Sequence, residues 1–227
     1  MKADLRLDLK RTALLVVDLQ EDQRSDPLCV ADNLDQVLAN AAQLLEAARA
    51  HGVAVFHAAF VRDFDTRPPR PFEPRADDGG PAFSAKGSPL VAICPEVAPL
   101  ADEVVIHKND ASAFEEGSLD GRLKALDVEW LVIAGVWTEA CIAASVRDAM
   151  AAGFRVLLVK DACTSGTPAM HQTGMLNIAN RLYGGAIGDT GRAVALLRGA
   201  PANVWRNTFP VPFRFRLTNV ETMYDSL

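Results

Sequence analysis

The sequence has no apolar run long enough to span a membrane and no segment resembling a secretory signal. Its apolar stretches fall well short of the roughly 18 residues expected of a membrane-spanning helix. The first residues, MKADLRLDLKR, alternate charged and apolar side chains and lack the apolar core of a signal peptide. We therefore expect a cytosolic protein with no membrane partner.

Three further absences narrow the classes of cofactor and partner. The four cysteines, at positions 29, 94, 141 and 163, form no CxxC pair and no cysteine–histidine spacing, so we predict reduced thiols and no metal site. Lys and Arg (23) are outnumbered by Asp and Glu (29), which argues against nucleic acid as a partner. No GxGxxG follows the first predicted strand, where the sequence reads DLQEDQ, so a dinucleotide cofactor is disfavoured.

What the sequence does contain is a regular alternation of short apolar strands and amphipathic helices. Strands are predicted at residues 12–18, 53–60, 103–108, 130–135, 154–162 and 184–190. Helices are predicted at 33–50, 118–125, 170–182 and 192–197, and one more holds Cys141 and runs to residue 152. This alternation predicts a Rossmann-like, three-layer α/β/α sandwich with a mostly parallel, six-stranded sheet in a single domain over residues 1–203.

Two segments lack this regularity. Residues 61–89 are rich in Pro, Arg, Asp and Gly, and a loop of this length in a compact domain is usually functional. Residues 204–227 concentrate aromatic residues and Pro after the predicted domain. We expect this tail to pack on a neighbouring subunit of a homo-oligomer, or on its own surface.

Three polar residues follow three different predicted strands. Asp18 ends the first strand, Lys108 ends the third, and Cys141 lies just after the fourth. Each alone has a common structural explanation: a turn former, a solvated lysine and a small core residue. Together they are harder to dismiss, because ligands in open α/β sheets bind beyond the carboxyl ends of the strands.

These residue types also suit nucleophilic catalysis. A thiol attacks only as the thiolate, so its proton must be removed. Asp18 could accept that proton, while Lys108 and the start of the following helix would supply positive potential. The turn GVWTEAC points backbone N–H groups into the same space, as an oxyanion requires.

The ordered set of motifs resembles the isochorismatase-like cysteine hydrolases. The matching segments are ALLVVDLQ, KNDASAF with the following Leu119 and Leu123, GVWTEAC, SVRDAMAAGFRV and KDACTS, which together cover residues 12–198. The resemblance implies a catalytic triad of Asp18, Lys108 and Cys141 that forms a thioester with an amide or ureido carbonyl and releases ammonia, without a cofactor. It also implies a cis peptide bond between Val136 and Trp137, and an oxyanion hole at the N–H groups of Trp137 and Cys141.

Departures from relatives narrow the expected substrate. Nicotinamidases of this family carry an Asp-x-His cluster that binds a metal, but this region has His57 alone, so no metal is expected. They also carry an aromatic residue shortly after the strand-one aspartate, where this chain has Gln23. We therefore predict a polar pocket for a small amide, carbamoyl or ureido compound.

Several residues are candidates for contacts with that substrate. Trp137 could form a wall of the pocket, and Arg62 or Arg67 could bind a carboxylate. Gln172 and His171 follow the fifth strand on the same edge, and Gln172 is the candidate contact there.

Three alternatives remain open from the sequence. An isochorismatase-type hydrolase of vinyl ethers would give Cys141 no role, and true isochorismatases generally lack this cysteine. A catalytically silent, oligomeric binding protein of the same fold would have no need of Asp18, Lys108 and Cys141 together. A redox sensor would use Cys141 as an acidic thiol.

Overall fold

Short runs of aliphatic and β-branched residues form the strands of the sheet. The structure is a computed structural model that describes residues 1–115 and 117–227. The strands among these residues are β1 (Lys2–Leu5), β2 (Thr12–Val17), β3 (Ala54–Phe60), β4 (Val104–Lys108), β5 (Trp130–Val136), β6 (Arg155–Thr164), β7 (Ala186–Gly188) and β8 (Ala202–Arg206). Every residue of β2 and β5 is buried, as expected for central parallel strands covered on both faces.

The eight described strands form one sheet in the order β1-β8-β7-β6-β5-β2-β3-β4. The six strands from β7 to β4 pair in parallel, whereas β1 and β8 pair antiparallel at one edge. The mostly parallel sheet is confirmed, but the predicted number of six strands is wrong. The sequence KADL of β1 alternates charged and apolar residues at the chain start, and β8 runs across the boundary placed after residue 203, so neither strand has the continuous apolar run used for prediction.

Helices cover both faces of the sheet and give the predicted three layers. The described helices are α1 (Asp22–Ser25), α2 (Leu34–Ala50), α3 (Ser118–Ala125), α4 (Ala143–Ala151), α5 (Pro168–Ala179), α6 (Thr190–Leu197) and α7 (Val220–Asp225). The apolar residues of α2 and α6 belong to one core cluster, and those of α3, α4 and α5 belong to the other. Three- and four-residue apolar spacing in α2 produces its buried stripe.

The C-terminal segment packs on its own domain. Phe213 lies 5.5 Å from the ring of Trp205 in β8, and its backbone exchanges two 2.8 Å hydrogen bonds with the Asn180 side chain. In α7, Tyr224 contacts the second core cluster. Packing of this segment on a neighbouring subunit stays a prediction. None of the described helices is long and apolar enough to cross a membrane.

Close contact between β2 and β5 brings two of the candidate residues to one edge of the sheet. Gly135, near the end of β5, has a φ of 132°, and a Cβ there would lie 2.0 Å from the carbonyl oxygen of Val17. Only glycine fits this position. The carboxyl end of β5, which leads to Cys141, thus lies against the end of β2, which leads to Asp18.

Candidate active site

Asp18, Lys108 and Cys141 meet at the carboxyl edge of the sheet. Lys108 Nζ lies 2.8 Å from Asp18 Oδ2 and donates a hydrogen bond to Cys141 Sγ at 3.3 Å. It also donates to the backbone oxygen of Asp110 at 3.2 Å. The three residues proposed from strand ends are therefore brought into direct contact, and the ammonium contacts both the carboxylate and the thiol.

The fold determines where each of these side chains lies. Asp18 follows β2 with a φ of 54°, a left-handed conformation that Asp tolerates better than most non-glycine residues, and its N–H donates to the oxygen of Ala58 at 2.8 Å. Lys108 has no solvent exposure, and its ammonium lies 4.8 Å from the centre of the Phe60 ring. Both charges are buried, so each depends on the other for stabilisation.

Cys141 lies in a π-helical turn rather than in an α-helix. The turn spans Thr138–Ile142 and precedes α4, and the N–H of Ile142 donates to the oxygen of Trp137 at 3.2 Å. Such single π turns often occur at functional sites. The peptide bond between Val136 and Trp137, just before this turn, is cis.

Burial dominates the electrostatics of the cluster. Burial raises the pKa of the Asp18 carboxyl, although Lys108 opposes this shift. Burial, reinforced by the charge of Asp18, raises the pKa of the Cys141 thiol to about 12. Burial lowers the pKa of Lys108, but the attraction of Asp18 and of the thiol outweighs burial and leaves that pKa raised. Burial therefore favours the protonated thiol of Cys141 over the thiolate.

The cluster opens into a cavity of about 430 Å³. Asp18 and Cys141 both line it, and most of its other walls are apolar. The apolar lining residues are Leu28, Cys29, Phe60, Pro74, Pro81, Ala82, Phe83, Ala111, Val136, Trp137 and Ala140. Phe60 and Phe83 stack with their ring centres 5.9 Å apart. A cavity of this kind fits a small molecule with a largely apolar body.

Gln23 and Trp137, two of the predicted substrate contacts, both line the cavity. The Gln23 amide donates to Asp22 Oδ1 at 2.9 Å and accepts from Trp137 Nε1 at 2.7 Å. The opposite side of the indole is close to Gly166, where a Cβ would lie 2.8 Å from the ring. The hydrogen-bonding groups of Gln23 thus hold Asp22 and Trp137 in place, and its contact with a substrate in a polar part of the pocket stays a prediction.

Arg62 lines the cavity, but its charge is already paired. Its guanidinium binds both carboxylate oxygens of Glu73 and stacks 4.7 Å from the centre of the Phe64 ring. Arg67 does not line the cavity and instead pairs with Asp110 and Glu115, at 3.2 and 2.6 Å. Arg62 is therefore near the predicted substrate, although it is not an unpaired cation there.

Gln172 does not line the cavity, which corrects its prediction as a substrate contact. Helix α5 turns the preceding residue, His171, inward instead: Nδ1 lies 2.7 Å from Thr138 Oγ1 and Nε2 lies 3.0 Å from the Tyr224 hydroxyl. Burial, with a contribution from Lys160, lowers the pKa of His171 to about 4, so this histidine is neutral. His171 thus supports the turn that carries Cys141 without reaching the cavity.

His57 forms a hydrogen bond with Glu103 in the interior of the domain. Its Nε2 lies 3.1 Å from Glu103 Oε2 inside the domain. Among the described residues, one grouping has metal-ligand spacing, formed by Glu21, Cys94 and Glu96. Arg24 forms ion pairs with both glutamates, 3.2 Å from Glu21 and 2.8 Å from Glu96. None of these residues lines the cavity, and the absence of a metal requirement stays a prediction.

Comparison with known proteins agrees with this fold. The profile of the Isochorismatase domain matches residues 12–190, and the chain belongs to this family. Maleamate amidohydrolase of Pseudomonas putida is 34% identical over 188 residues, which are 78% of this chain and 83% of that protein. N-carbamoylsarcosine amidase of Arthrobacter sp is 28% identical over 201 residues, covering 84% of this chain and 73% of that protein. A cysteine hydrolase structure from Pseudomonas syringae has a TM-score of 0.75, covers 85% of this chain and 95% of its own, and at 22% identity shows likeness of fold.

Removing either charge of the buried pair should destabilise the protein. Lys108→Met leaves the Asp18 carboxyl without its counter-charge, and Asp18→Asn does the same to Lys108. We expect each change to lower the free energy of unfolding by about 3 kcal/mol at neutral pH, measured by urea denaturation. The free energy of unfolding of the double variant should fall by much less than the sum of the two single losses, because the double variant leaves no unpaired charge.

Lys124→Met is the matched control, since Lys124 forms an exposed pair with Asp120 at 2.8 Å. That change should alter stability by less than about 1 kcal/mol. Additive losses in the Asp18/Lys108 double variant would show that the two side chains do not stabilise each other.

Proposed function

We propose that this protein is a cysteine amidohydrolase that cleaves the C–N bond of a small amide, N-carbamoyl or ureido compound through a thioester on Cys141. The observation that carries this proposal is the position of Lys108 Nζ, 2.8 Å from Asp18 and 3.3 Å from the Cys141 sulfur, beside an open cavity. A carboxylate, an ammonium and a thiol in contact supply a base, a charge stabiliser and a nucleophile.

Because the pKa of the thiol is raised, the first step must include removal of its proton by a base. Because the pKa of Cys141 is about 12, the sulfur is protonated at rest and needs a base when it attacks. Asp18 takes that proton as the sulfur bonds to the carbonyl carbon, and its own raised pKa makes it a stronger base than an ordinary carboxylate. Lys108 stabilises the negative charge that moves between the two groups.

The remaining steps return the cluster to its starting state. Asp18 gives its proton to the nitrogen of the leaving group as the C–N bond breaks, which releases ammonia and leaves a thioester. Water then attacks the thioester while Asp18 accepts its proton. The acid product leaves as the proton passes back to the sulfur.

The turn that holds Cys141 has backbone N–H groups that could bind an oxyanion. No backbone or side-chain group of the described residues accepts a hydrogen bond from the N–H of Trp137. Trp137 and Cys141 both line the cavity. We propose that their N–H groups bind the carbonyl oxygen as it becomes negative.

The relatives support this reaction class over the alternatives. Two of them are named for amide and carbamoyl hydrolysis, as a maleamate amidohydrolase and an N-carbamoylsarcosine amidase. A redox sensor needs an acidic thiol, whereas burial raises the pKa of Cys141. A vinyl-ether hydrolase would leave the contacts among Lys108, Asp18 and Cys141 without a role.

Ammonia release from a panel of amides tests the proposal. The panel contains simple aliphatic and aromatic amides, nicotinamide, N-carbamoyl amino acids, biuret and ureidoacrylate-like amides. We expect turnover of at least one class, and a loss of at least about 10⁴-fold in kcat for Cys141→Ala, since the nucleophile is removed.

Cys29→Ala is the matched control, because Cys29 lines the same cavity but contacts neither Asp18 nor Lys108 among the described hydrogen bonds and ion pairs. Its kcat should stay within about tenfold of wild type. No turnover across the panel, or full turnover by Cys141→Ala, would contradict the proposed function.

The pH dependence of catalysis should report the buried Asp18. Asp18 must be ionised to act as a base, and burial raises its pKa above the ordinary value of 3.8. We therefore expect kcat/KM for an uncharged substrate to fall as the pH decreases, with a midpoint clearly above 3.8. The raised pKa values of Lys108 and Cys141 should keep kcat/KM level through mildly alkaline pH. Circular dichroism checks that the fold persists, and a midpoint at or below 3.8 would refute the assignment.

A further inference from the structure

The cavity has a second polar region besides the catalytic cluster. Residues from the 61–89 loop and from the segment after β4 form it: Arg62, Arg70, Glu73, Asn109 and Asp110. An arginine in such a region is the usual means of binding a substrate carboxylate. Whether it can do so depends on how many of its N–H groups are already used.

Arg62 has little capacity left for a substrate. Its side chain is only 5% exposed, and it binds both oxygens of Glu73, with the Nη2–Oε2 distance at 2.8 Å. Its Nη1 donates to the oxygen of Arg67 at 2.9 Å and to Asn109 Oδ1 at 3.2 Å. These bonds use four of the five guanidinium N–H groups. A substrate carboxylate would have to displace Glu73.

Glu73 is held firmly in this pair. It also accepts a hydrogen bond from the N–H of Arg70 at 2.9 Å. The bonds from Arg62 lower the pKa of Glu73 to about 2, so the carboxylate stays charged at any pH at which the protein would be assayed.

The other arginine at the cavity is paired as well. The Arg70 guanidinium contacts Asp110 Oδ2, and Asp110 also pairs with Arg67 at 3.2 Å. The charged residues that line the cavity are two arginines and three carboxylates, the third being Asp18. Asp18 is paired with Lys108, so each of these charges has an opposite partner, and an anionic substrate would meet no unpaired cation among the described lining residues.

The rest of the wall favours an apolar group. Phe60 and Phe83 stack on each other, and Trp137 is held in place by Gln23 and by close packing on Gly166. All three aromatic residues line the same cavity as the Cys141 sulfur. Flat apolar surfaces beside the nucleophile suit an unsaturated or aromatic acyl group.

We propose that this site selects amides whose acyl group is uncharged and apolar and discriminates against those bearing a carboxylate, because Glu73 neutralises Arg62. This inference rests on the proposed amidohydrolase function and names its substrate class. Glu73 is thereby a specificity-determining residue: without it, Arg62 would be an unpaired cation in the cavity.

Matched pairs of substrates test the selectivity of the wild-type protein. One pair is (Z)-but-2-enamide and maleamate, which differ by a methyl group in place of a carboxylate; the other is benzamide and 4-carbamoylbenzoate. We expect kcat/KM, from ammonia release, to be at least about tenfold higher for the uncharged member of each pair. 4-(Aminomethyl)benzamide serves as the cationic comparison and should also be poorer than benzamide.

Glu73→Gln tests the cause. This change keeps the shape of the side chain but leaves Arg62 positively charged and unpaired. The ratio of kcat/KM for the carboxylated over the uncharged substrate should rise by at least about tenfold. Glu115→Gln is the matched control, since Glu115 pairs with Arg67 and does not line the cavity, and its ratio should equal that of wild type.

The outcomes separate this inference from the proposed function. A wild-type preference for the carboxylated or the cationic amide would overturn the inference while leaving the amidohydrolase function in place. An unchanged ratio in folded Glu73→Gln would remove Glu73 from the explanation. No turnover of any amide would contradict the proposed function and this inference with it. The wild-type comparison decides the substrate class even if Glu73→Gln fails to fold.

Discussion

A lysine ammonium with no exposure to solvent needs an opposite charge beside it, and this requirement organises the site. Lys108 Nζ meets the Asp18 carboxylate at 2.8 Å, and the same ammonium faces the sulfur of Cys141. Burying such a pair is expensive unless its geometry is good. A protein that needs only stability would be served as well by apolar residues. The same ammonium also contacts a thiol that lines a cavity.

The sheet delivers these side chains because parallel strands end at a common edge. Gly135 allows β5 to approach β2 within a distance that no side chain would permit, so the turn holding Cys141 lies against Asp18. The walls around them serve a different purpose. Phe60 and Trp137 form apolar walls of the cavity, and burial of the cluster raises the pKa of both Asp18 and Cys141. The site thus combines a cluster of charged side chains with a cavity whose walls are mostly apolar.

The central part of this arrangement could be predicted from the sequence, because it depends on local patterns. Asp18, Lys108 and Cys141 each follow an apolar strand, and strand order places strand ends together. The antiparallel strands β1 and β8 escaped prediction because one is short and partly charged and the other lies in a segment with turn-rich composition.

The second polar region of the cavity and its aromatic wall could not be predicted in the same way. The pairing of Arg62 with Glu73 and the stacking of Phe60 on Phe83 depend on the path of an aperiodic loop, which no repeat or spacing encodes. Gln172 was misplaced for a related reason: the rotation of α5 about its axis decides which of two adjacent polar residues turns inward, and His171 does so. Patterns along the chain therefore predict the strands and helices, whereas the shape of the pocket is determined by contacts between segments that are distant in sequence.

The covalent state of the enzyme during turnover most directly tests whether Cys141 forms a thioester with the substrate. The protein is quenched with acid while it hydrolyses an amide and is then digested with a protease. The masses of its peptides are measured by mass spectrometry. We expect an added mass equal to the substrate minus ammonia on the peptide containing Cys141, and we expect hydroxylamine to remove it, as it does a thioester. An adduct on a different side chain, or a Cys141 adduct that resists hydroxylamine, would contradict the proposed thioester.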